Sequence, residues 1–387
     1  MNSFFSLIFF AFMKVALLHD YLVQYGGAER VLEKLLDIYP DAPVYTLLYR
    51  PFSLAPRLRK KLEKRKVITS SLQHFPLAKS HHRLYPLLMP YMVEKFDFSD
   101  FDIVLSDTSG FSKGIILRPQ TLHICYCHTP LRYAWDNSQK YIKEYRHFFL
   151  ARPFVKWGIH YLRIWDRQAA ERVDYFLTNS RFVQQRIDKY YHRSATVIYP
   201  PVETKEFKIA KKHKDYYLIV SRLLPYKKTD IVIDAFNKLR LPLVIIGRGP
   251  EEKRLKLKAN DNIIFLGSVY GKDLNKFYEQ AKAFIFPQEE DFGIAPVEAL
   301  ASGRPVIAYK GGGALETIKE GINGIFFNHQ TSESLIEAIE KFEKNKFSCQ
   351  KIKNSSKYFD ESVFREKVKK FVNDKWVKHQ KIWNLEN

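Results

Sequence analysis

The sequence predicts an α/β protein made of two tandem, doubly wound, parallel-sheet units. Three observations carry that prediction. Short apolar runs alternate with amphipathic helical stretches along the chain, the pattern of strand–helix–strand crossovers. The alternation breaks at Tyr199-Pro200-Pro201-Val202 and the lysine-rich stretch Lys205 to Lys214, then begins again at Tyr216. The length, 387 residues, suits two domains at about 100–200 residues each.

The elements follow in order. Residues 1–12 are apolar but lack a basic leader region and a small-residue cleavage site, and they are too short to span a bilayer. Met13 and Lys14-Val-Ala-Leu-Leu18 read as the natural start of a first buried strand, which makes 1–12 a mis-start; a short membrane-dipping anchor is the alternative. Ala28, Val31, Leu32, Leu35 and Leu36 recur at helical spacing, so a helix follows. Further strands are expected at 44–47, 102–105, 123–127, 174–178 and 196–199. In the second half the expected strands are 216–220, 243–246, 263–266, 283–286, 305–309 and 324–327. Ile231, Val232, Ala235, Phe236 and Leu239 mark the helix between the first two of these. The expected division is 13–201 for the N-terminal domain, 202–360 for the C-terminal domain, and 361–387 as a helix packing back on the first domain.

Composition excludes several classes. Hydrophobic residues make up 46% and charged residues 27%, so the chain is neither disordered nor fibrous. No apolar run approaches the roughly 20 residues that span a bilayer. Three cysteines exclude a disulfide scaffold and suit a reducing cytoplasm. The net charge of +21 implies an acidic partner: nucleic acid, an anionic membrane surface, or phosphate-bearing substrates. The densest stretch, 50–95, holds 11 basic and 2 acidic residues with Phe52, Phe75, Tyr85 and Tyr91 among them. That mixture suits an anionic interface, or equally a solvated face over an ordinary core.

In open α/β sheets, ligands bind outside the carboxyl ends of the strands. Gly26-Gly27, His128, Arg222, Gly247-Arg248-Gly249, Glu289-Glu290-Asp291 and Gly311-Gly312-Gly313 all fall there, so two facing domains would enclose a cleft. The densest constellation is Gln288-Glu289-Glu290-Asp291-Phe292-Gly293-Ile294-Ala295-Pro296-Val297-Glu298. Pro296 fits the first helical turn and Gly303 the helix end. Free amides near Ile294 and Ala295 then form a phosphate seat, which Gly293 lets a ligand approach. Glu290, in the loop, and Glu298, placed in the first turn, suit hydroxyls of a sugar and a ribose flanking a diphosphate. Without a ligand, Glu298 is a carboxylate favoured by the helix dipole and Glu290 a loop charge. Arg222 and Lys227, five residues apart after a strand, suit a clamp on both phosphates; the alternative is surface charge.

These residues carry a resemblance. The Glu290–Glu298 spacing inside EDFGIAPVEALASGRPVIA is similar to the signature of retaining glycosyltransferases of family 4, which have the GT-B fold of two Rossmann-like domains facing a central cleft. HDYLVQYGGAERV, YCHTPLRYAWD, SRLLPYKK, IIGRGPE, FLGSV and GGGALETI extend it, in order, over about residues 13–370. The motifs look most like mannosyltransferases of polysaccharide and O-antigen biosynthesis. The resemblance implies a nucleotide-diphosphate sugar as donor, with GDP-mannose expected and UDP-glucose or a UDP-N-acetylhexosamine as the alternative. It implies a lipid-linked or glycan acceptor. Arg222 and Lys227 (Lys228 as its alternative) would neutralise the diphosphate. Glu290 would hold hydroxyls of the transferred sugar, and Phe292, Gly293, Ile294 and Ala295 would meet phosphate and sugar. Glu298 would bind the ribose, Gly247 and Gly267 would border the base, and Gly27 would let the N-terminal domain approach the diphosphate. His128 matches a family histidine near the reaction centre, so the catalytic pair expected is His128 and Glu290.

Rival signals are weaker. Asp100-Phe-Asp102 looks like a metal-binding pair, but it falls at the amino end of a strand and reads as a solvated loop. Cys125, Cys127 and His128 lack zinc-pair spacing, and the cysteines read as packed strand thiols. No metal or other cofactor is expected. A nicotinamide-dependent oxidoreductase needs Gly-x-Gly-x-x-Gly after the first strand, where only Gly26-Gly27 occurs. A nucleic-acid-binding protein is favoured by charge alone and lacks a recognisable module, so nucleic acid is not an expected partner. The stretch 145–167 interleaves aromatics with Arg and Lys; it suits a surface helix at a membrane, an interdomain contact, or core packing. The expected location is cytoplasmic and peripheral, at the inner face of the cell membrane.

Overall fold

The computed structural model describes residues 13–136, 138–139 and 152–383. Residues 1–12, and 145–151 of the aromatic-basic stretch, lie outside the described residues. The chain divides into two compact units, Met1–Tyr199 with Arg365–Asn387, and Pro200–Phe364.

The first unit holds β1 (Val15–Leu22), β2 (Val44–Tyr49), β3 (Val67–Thr69), β4 (Ile103–Thr108), β5 (Leu122–Cys127), β6 (Tyr175–Thr178) and β7 (Ala195–Val197). They form one sheet in the order β3-β2-β1-β4-β5-β6-β7, parallel throughout. The second unit holds β8 (Tyr217–Val220), β9 (Leu243–Ile246), β10 (Ile263–Gly267), β11 (Ala283–Phe286), β12 (Val306–Tyr309) and β13 (Gly324–Phe327), in the order β10-β9-β8-β11-β12-β13, again all parallel. Each sheet therefore starts in its middle, runs to one edge, and resumes on the other side. The strand order reverses between β1 and β4 in one unit and between β8 and β11 in the other. Those are the switch points where doubly wound sheets bind ligands.

Burial on both faces explains the near-continuous apolar strands. β9 and β11 are buried at every residue, and β1 at every residue but Tyr21. Two differences from the sequence reading bear on the site. β1 runs on to Leu22, so His19 and Asp20 are strand residues and not loop residues. β3 was not expected: it is a three-residue, half-buried edge strand inside the basic stretch. The proline-rich junction, where one unit ends and the next begins, is packed. Pro200, Pro201, Val202 and Thr204 are buried, and Val202 bonds the returning chain at Phe359 and Glu361 (3.0 Å each).

The C-terminal helix Glu361–Trp383 turns the stripe Val368, Val372, Trp376 and His379 inward. Its Phe371 packs edge-on against Tyr175, Lys375 lies 4.5 Å from the same ring, and His379 Nε2 meets the Gln120 carbonyl at 3.0 Å. Beneath β4 and β5 lies a buried ion pair between Lys113 and Asp166. Lys113 also donates to the Gly110 carbonyl (2.6 Å), and Asp166 accepts from Trp135 Nε1 (2.8 Å) and Tyr191 Oη (2.7 Å), so the buried charges are satisfied.

Candidate active site

In the second unit the candidate residues gather at the carboxyl edge. After β8, Arg222 is exposed, a short helical turn covers Pro225–Lys227, and Lys228 (φ 56°) opens the helix Thr229–Leu239. After β11 comes the loop that carries Glu290. Across the switch point Lys227 Nζ pairs with the Glu290 carboxylate, the side chains 15% and 19% exposed. The loop after β12 packs directly on this backbone: Gly313 N–H donates to the Glu290 carbonyl (2.8 Å). A Cβ at Gly312 would lie 2.3 Å from that carbonyl oxygen, and one at Gly313 2.4 Å from Phe292 Cα, which is why three glycines occur there.

Gly293 precedes the helix Ile294–Ala301 with φ 89°, and a Cβ there would come within 2.9 Å of Phe286 Cζ. Ile294 and Ala295 supply the first turn, whose amides lack intrahelical partners. Phe292 is buried against Phe359. Glu298 corrects the sequence reading: no acidic residue lies in the first turn, and Glu298 sits one turn further in. It is buried, and Oε2 accepts from Tyr278 Oη at 2.8 Å. At β9 and β10, Gly247 N–H donates to the Gly267 carbonyl (2.7 Å). Gly247 (φ 135°) lies so close to Ser221 that a Cβ would fall 1.9 Å from its carbonyl oxygen. The structure thus joins Lys227 to Glu290 and Gly247 to Gly267, and packs the glycine loop after β12 on the backbone that leads into the helix Ile294–Ala301.

Gly27 and His128 lie in the first unit. Gly27 begins the helix Gly27–Ile38, and Gly26, its cap, donates its N–H to Glu29 Oε2 (2.7 Å). His128 follows β5; its N–H donates to the Thr108 carbonyl (2.8 Å) and its carbonyl accepts from Asn179 Nδ2 (3.0 Å). Its Nε2 lies 2.5 Å from Asp107 Oδ1. Asp107 Oδ2 lies 2.8 Å from His19 Nδ1, and His19 Nε2 is 3.7 Å from Glu29 Oε1. Burial alone would push the His19 imidazole down, but the Asp107 and Glu29 carboxylates outweigh it and lift it to about 10. Burial likewise pushes Asp107 up, and His128 and His19 prevail to hold it below the usual carboxylate range. Sequence reasoning missed His19, Glu29 and Asp107. The available signal was a histidine and an aspartate inside otherwise apolar strands, near the ends where ligands bind.

Next to this line Asp20 fixes the loop after β4, accepting from Ser109 N (2.7 Å), Ser112 N (2.8 Å), Phe111 N (3.0 Å) and Thr108 Oγ1 (2.8 Å). Asp102 lies at the amino end of β4, accepting from Lys14 N at 2.8 Å. Cys125 and Cys127 are buried in β5. Among the described residues, no three His, Cys, Asp or Glu side chains are grouped to hold a metal ion.

The comparisons agree with this architecture. Residues 25–206 match the model for Glycosyltransferase Family 4, and residues 201–359 match Glycosyl transferases group 1. An uncharacterised glycosyltransferase of Methanocaldococcus jannaschii is 28% identical over 206 residues, 51% of this chain and 58% of that protein. O-antigen chain mannosyltransferase C of Escherichia coli is 28% identical over 156 residues, 38% of this chain and 42% of that one. The chain spans about half the length of the curated relatives it matches. Among solved structures, Anabaena HepE in complex with UDP and glucose aligns over 93% of this chain and 99% of its own, with a TM-score of 0.68 and 19% identity, a likeness of fold. With both units matched in order and both sheets doubly wound, the chain carries a Glycosyltransferase Family 4 domain followed by a Glycosyl transferases group 1 domain, in the GT-B fold.

Proposed function

We propose that the protein is a retaining glycosyltransferase that moves mannose from GDP-mannose to a lipid-linked or cell-surface glycan precursor, without a metal. The observation that carries this reading is the Lys227–Glu290 pair beside the start of the helix Ile294–Ala301, at the switch point of the second unit. A cation, a carboxylate and free helix amides at one point suit a group that is anionic on one side and hydroxylated on the other. Departure of a nucleoside diphosphate builds negative charge, which Arg222, Lys227 and the amides of Ile294 and Ala295 offset. Glu290 holds hydroxyls of the sugar as it becomes oxocarbenium-like, Glu298 holds the ribose, and Gly247 and Gly267 border the base. Gly27 leaves room for the diphosphate. His128 orients the sugar or assists proton movement, and the departing phosphate oxygen accepts the acceptor's proton. GDP-mannose is favoured because relatives include a GDP-mannose-dependent alpha-mannosyltransferase of Corynebacterium glutamicum, 36% identical over 110 residues. UDP-glucose is the second reading, because HepE was solved with UDP and glucose.

A panel of GDP-mannose, UDP-glucose and UDP-N-acetylglucosamine tests this by thermal shift and donor hydrolysis. GDP-mannose is expected to stabilise the wild type and to lose its effect in Arg222→Ala and Lys227→Ala; Glu290→Ala is expected to lose turnover. If no nucleotide sugar stabilises the wild type at millimolar concentration, the donor assignment fails.

The same reading places the protein at an anionic membrane surface on its cytoplasmic side. Among the described residues no helix is long and apolar enough to cross a membrane. The helix Arg152–Glu171 exposes Phe154 (77%), Trp157 (64%), Tyr161 and Ile164 on one stripe, while Ile159, Leu162 and Trp165 face the core. Leu87, itself exposed, lies against Gly158 of this helix. Lys156, exposed one position before Trp157, adds a cation beside the stripe, as an anionic lipid surface favours. Co-sedimentation with phosphatidylglycerol-containing vesicles is expected to fall in Phe154→Ser with Trp157→Ser; binding equal to wild type removes this surface.

A further inference from the structure

We propose that Asp107 is a positioning residue that fixes the tautomer of His128 and, through His19 and Glu29, ties that histidine to the glycine loop Gly26–Gly27. The four side chains form one line along the carboxyl edge of β1, β4 and β5, at the first unit's switch point. All are buried, from 0% exposed for Asp107 to 8% for His128. Both Asp107 oxygens are engaged, Oδ1 by His128 Nε2 at 2.5 Å and Oδ2 by His19 Nδ1 at 2.8 Å. An ionised carboxylate only accepts, so His128 must present Nε2–H to it. A neutral His128 then keeps its lone pair on Nδ1, and the group that meets that nitrogen is a donor, a hydroxyl. His19 holds its proton in the neutral range and so serves as the cation that keeps Asp107 ionised, not as a base. Glu29 completes the line, with Oε1 towards His19 (3.7 Å) and Oε2 on the Gly26 N–H (2.7 Å). Buried charges are costly, and a core of this size does not need them. What this line does that an apolar strand end cannot is hold an imidazole and a glycine loop in one register.

The inference rests on the proposed function only where turnover is read. Spectra of the full-length protein with ¹⁵N-labelled histidine, with His128 assigned by its loss in His128→Gln, are expected to show Nε2 protonated and Nδ1 bare. In Asp107→Asn the preference is expected to be lost, because a side-chain amide serves either tautomer. Turnover of the nucleotide sugar that stabilises the wild type is expected to fall roughly 10²-fold in kcat, while its thermal shift remains. His19→Gln keeps a hydrogen bond to Asp107 without the charge, and its His128 signals are expected to move less. An unchanged His128 tautomer in Asp107→Asn overturns the proposal, as does a turnover loss confined to KM. If Asp107→Asn does not fold, unchanged His128 signals in His19→Gln overturn it. A wild type that turns over no nucleotide sugar defeats the proposed function and leaves the tautomer result standing.

Discussion

Replacing Gly293 by alanine separates two costs that the second unit avoids at its proposed phosphate seat. Gly293 sits at φ 89°, ψ 90°, immediately before the helix Ile294–Ala301. A side chain in that region of backbone space costs about 1–3 kcal/mol. The added methyl would also lie 2.9 Å from Phe286 Cζ and 3.4 Å from Pro296 Cδ. Phe286 is buried in a packed strand, so relieving that contact costs about 1–3 kcal/mol more. Gly271→Ala is the matched control: its φ is 59°, yet nothing lies within 4 Å of its Cβ, so it carries the backbone cost alone. The expected outcome is a second unit less stable by about 2–6 kcal/mol in Gly293→Ala, and by about 1–2 in Gly271→Ala. All five tryptophans (135, 157, 165, 376 and 383) belong to the first unit, so tryptophan fluorescence does not read this change. Hydrogen exchange of peptides across 283–301 does. Affinity for GDP or UDP, whichever binds the wild type, is expected to fall about tenfold or more in Gly293→Ala alone, because the helix start must shift. Equal exchange in the two variants with unchanged nucleotide affinity would falsify the reasoning.

Three further outcomes are expected. Tyr278→Phe removes the 2.8 Å donor to buried Glu298; it should destabilise the second unit by about 1–3 kcal/mol and shrink the preference for GDP over 2′-deoxy-GDP, and an unchanged ratio detaches Glu298 from the ribose. Lys227→Ala should change stability by about 1–3 kcal/mol, as loss of a hydrogen bond to a charged group does, yet abolish the donor-induced thermal shift; a larger stability loss instead marks the pair as structural. His19 keeps its proton to about 10 when folded and loses it near 6.5 when unfolded. Its contribution is therefore fully present below about pH 6.5 and is lost as pH rises towards 10. The melting temperature should fall across that window in the wild type and less in His19→Gln; parallel profiles count against the buried pair.

How much was legible depended on whether a residue's meaning was local. All six strands of the second unit were readable to within a residue or so, since each is a short apolar run bounded by glycine, proline or polar residues. β3 was not, because Val67–Thr69 lies inside a basic stretch and is only half buried at a sheet edge. Glycine positions were legible as well, though their reason was not: nothing in GGG says that it packs on the backbone of residues 290–292. The basic stretch 50–95 was read by its charge, and part of that charge has another use. Arg57 pairs with Glu33 (2.6 Å), Lys61 with Asp37 (2.6 Å), and Arg65 donates to the Leu36 carbonyl (3.0 Å), so these residues fasten the helix Pro56–Glu63 to Gly27–Ile38. The line from Glu29 to His128 was illegible because its members come from three strand ends and a helix, with His19 and Asp107 88 residues apart.

The two sheets place their polar groups at equivalent switch points but by different physics, and the difference says what each edge is for. In the second unit the charged pair is part exposed, the glycines remove side chains, and the helix amides are unspent. Such an edge can exchange its pair when an anion arrives, because both side chains keep some exposure to solvent. In the first unit the charges are buried and mutually satisfied, with Asp107 using both its oxygens and Glu29 both of its own. Opening that line exposes an unpaired buried charge, so it does not rearrange to admit a ligand. It is suited to keeping one imidazole in place while the chemistry happens beside it. Exchangeable contacts therefore belong to the edge proposed to hold the donor, and fixed ones to the histidine edge. Substitutions should divide accordingly: affinity changes at Arg222 and Lys227, and rate changes without loss of affinity at Asp107.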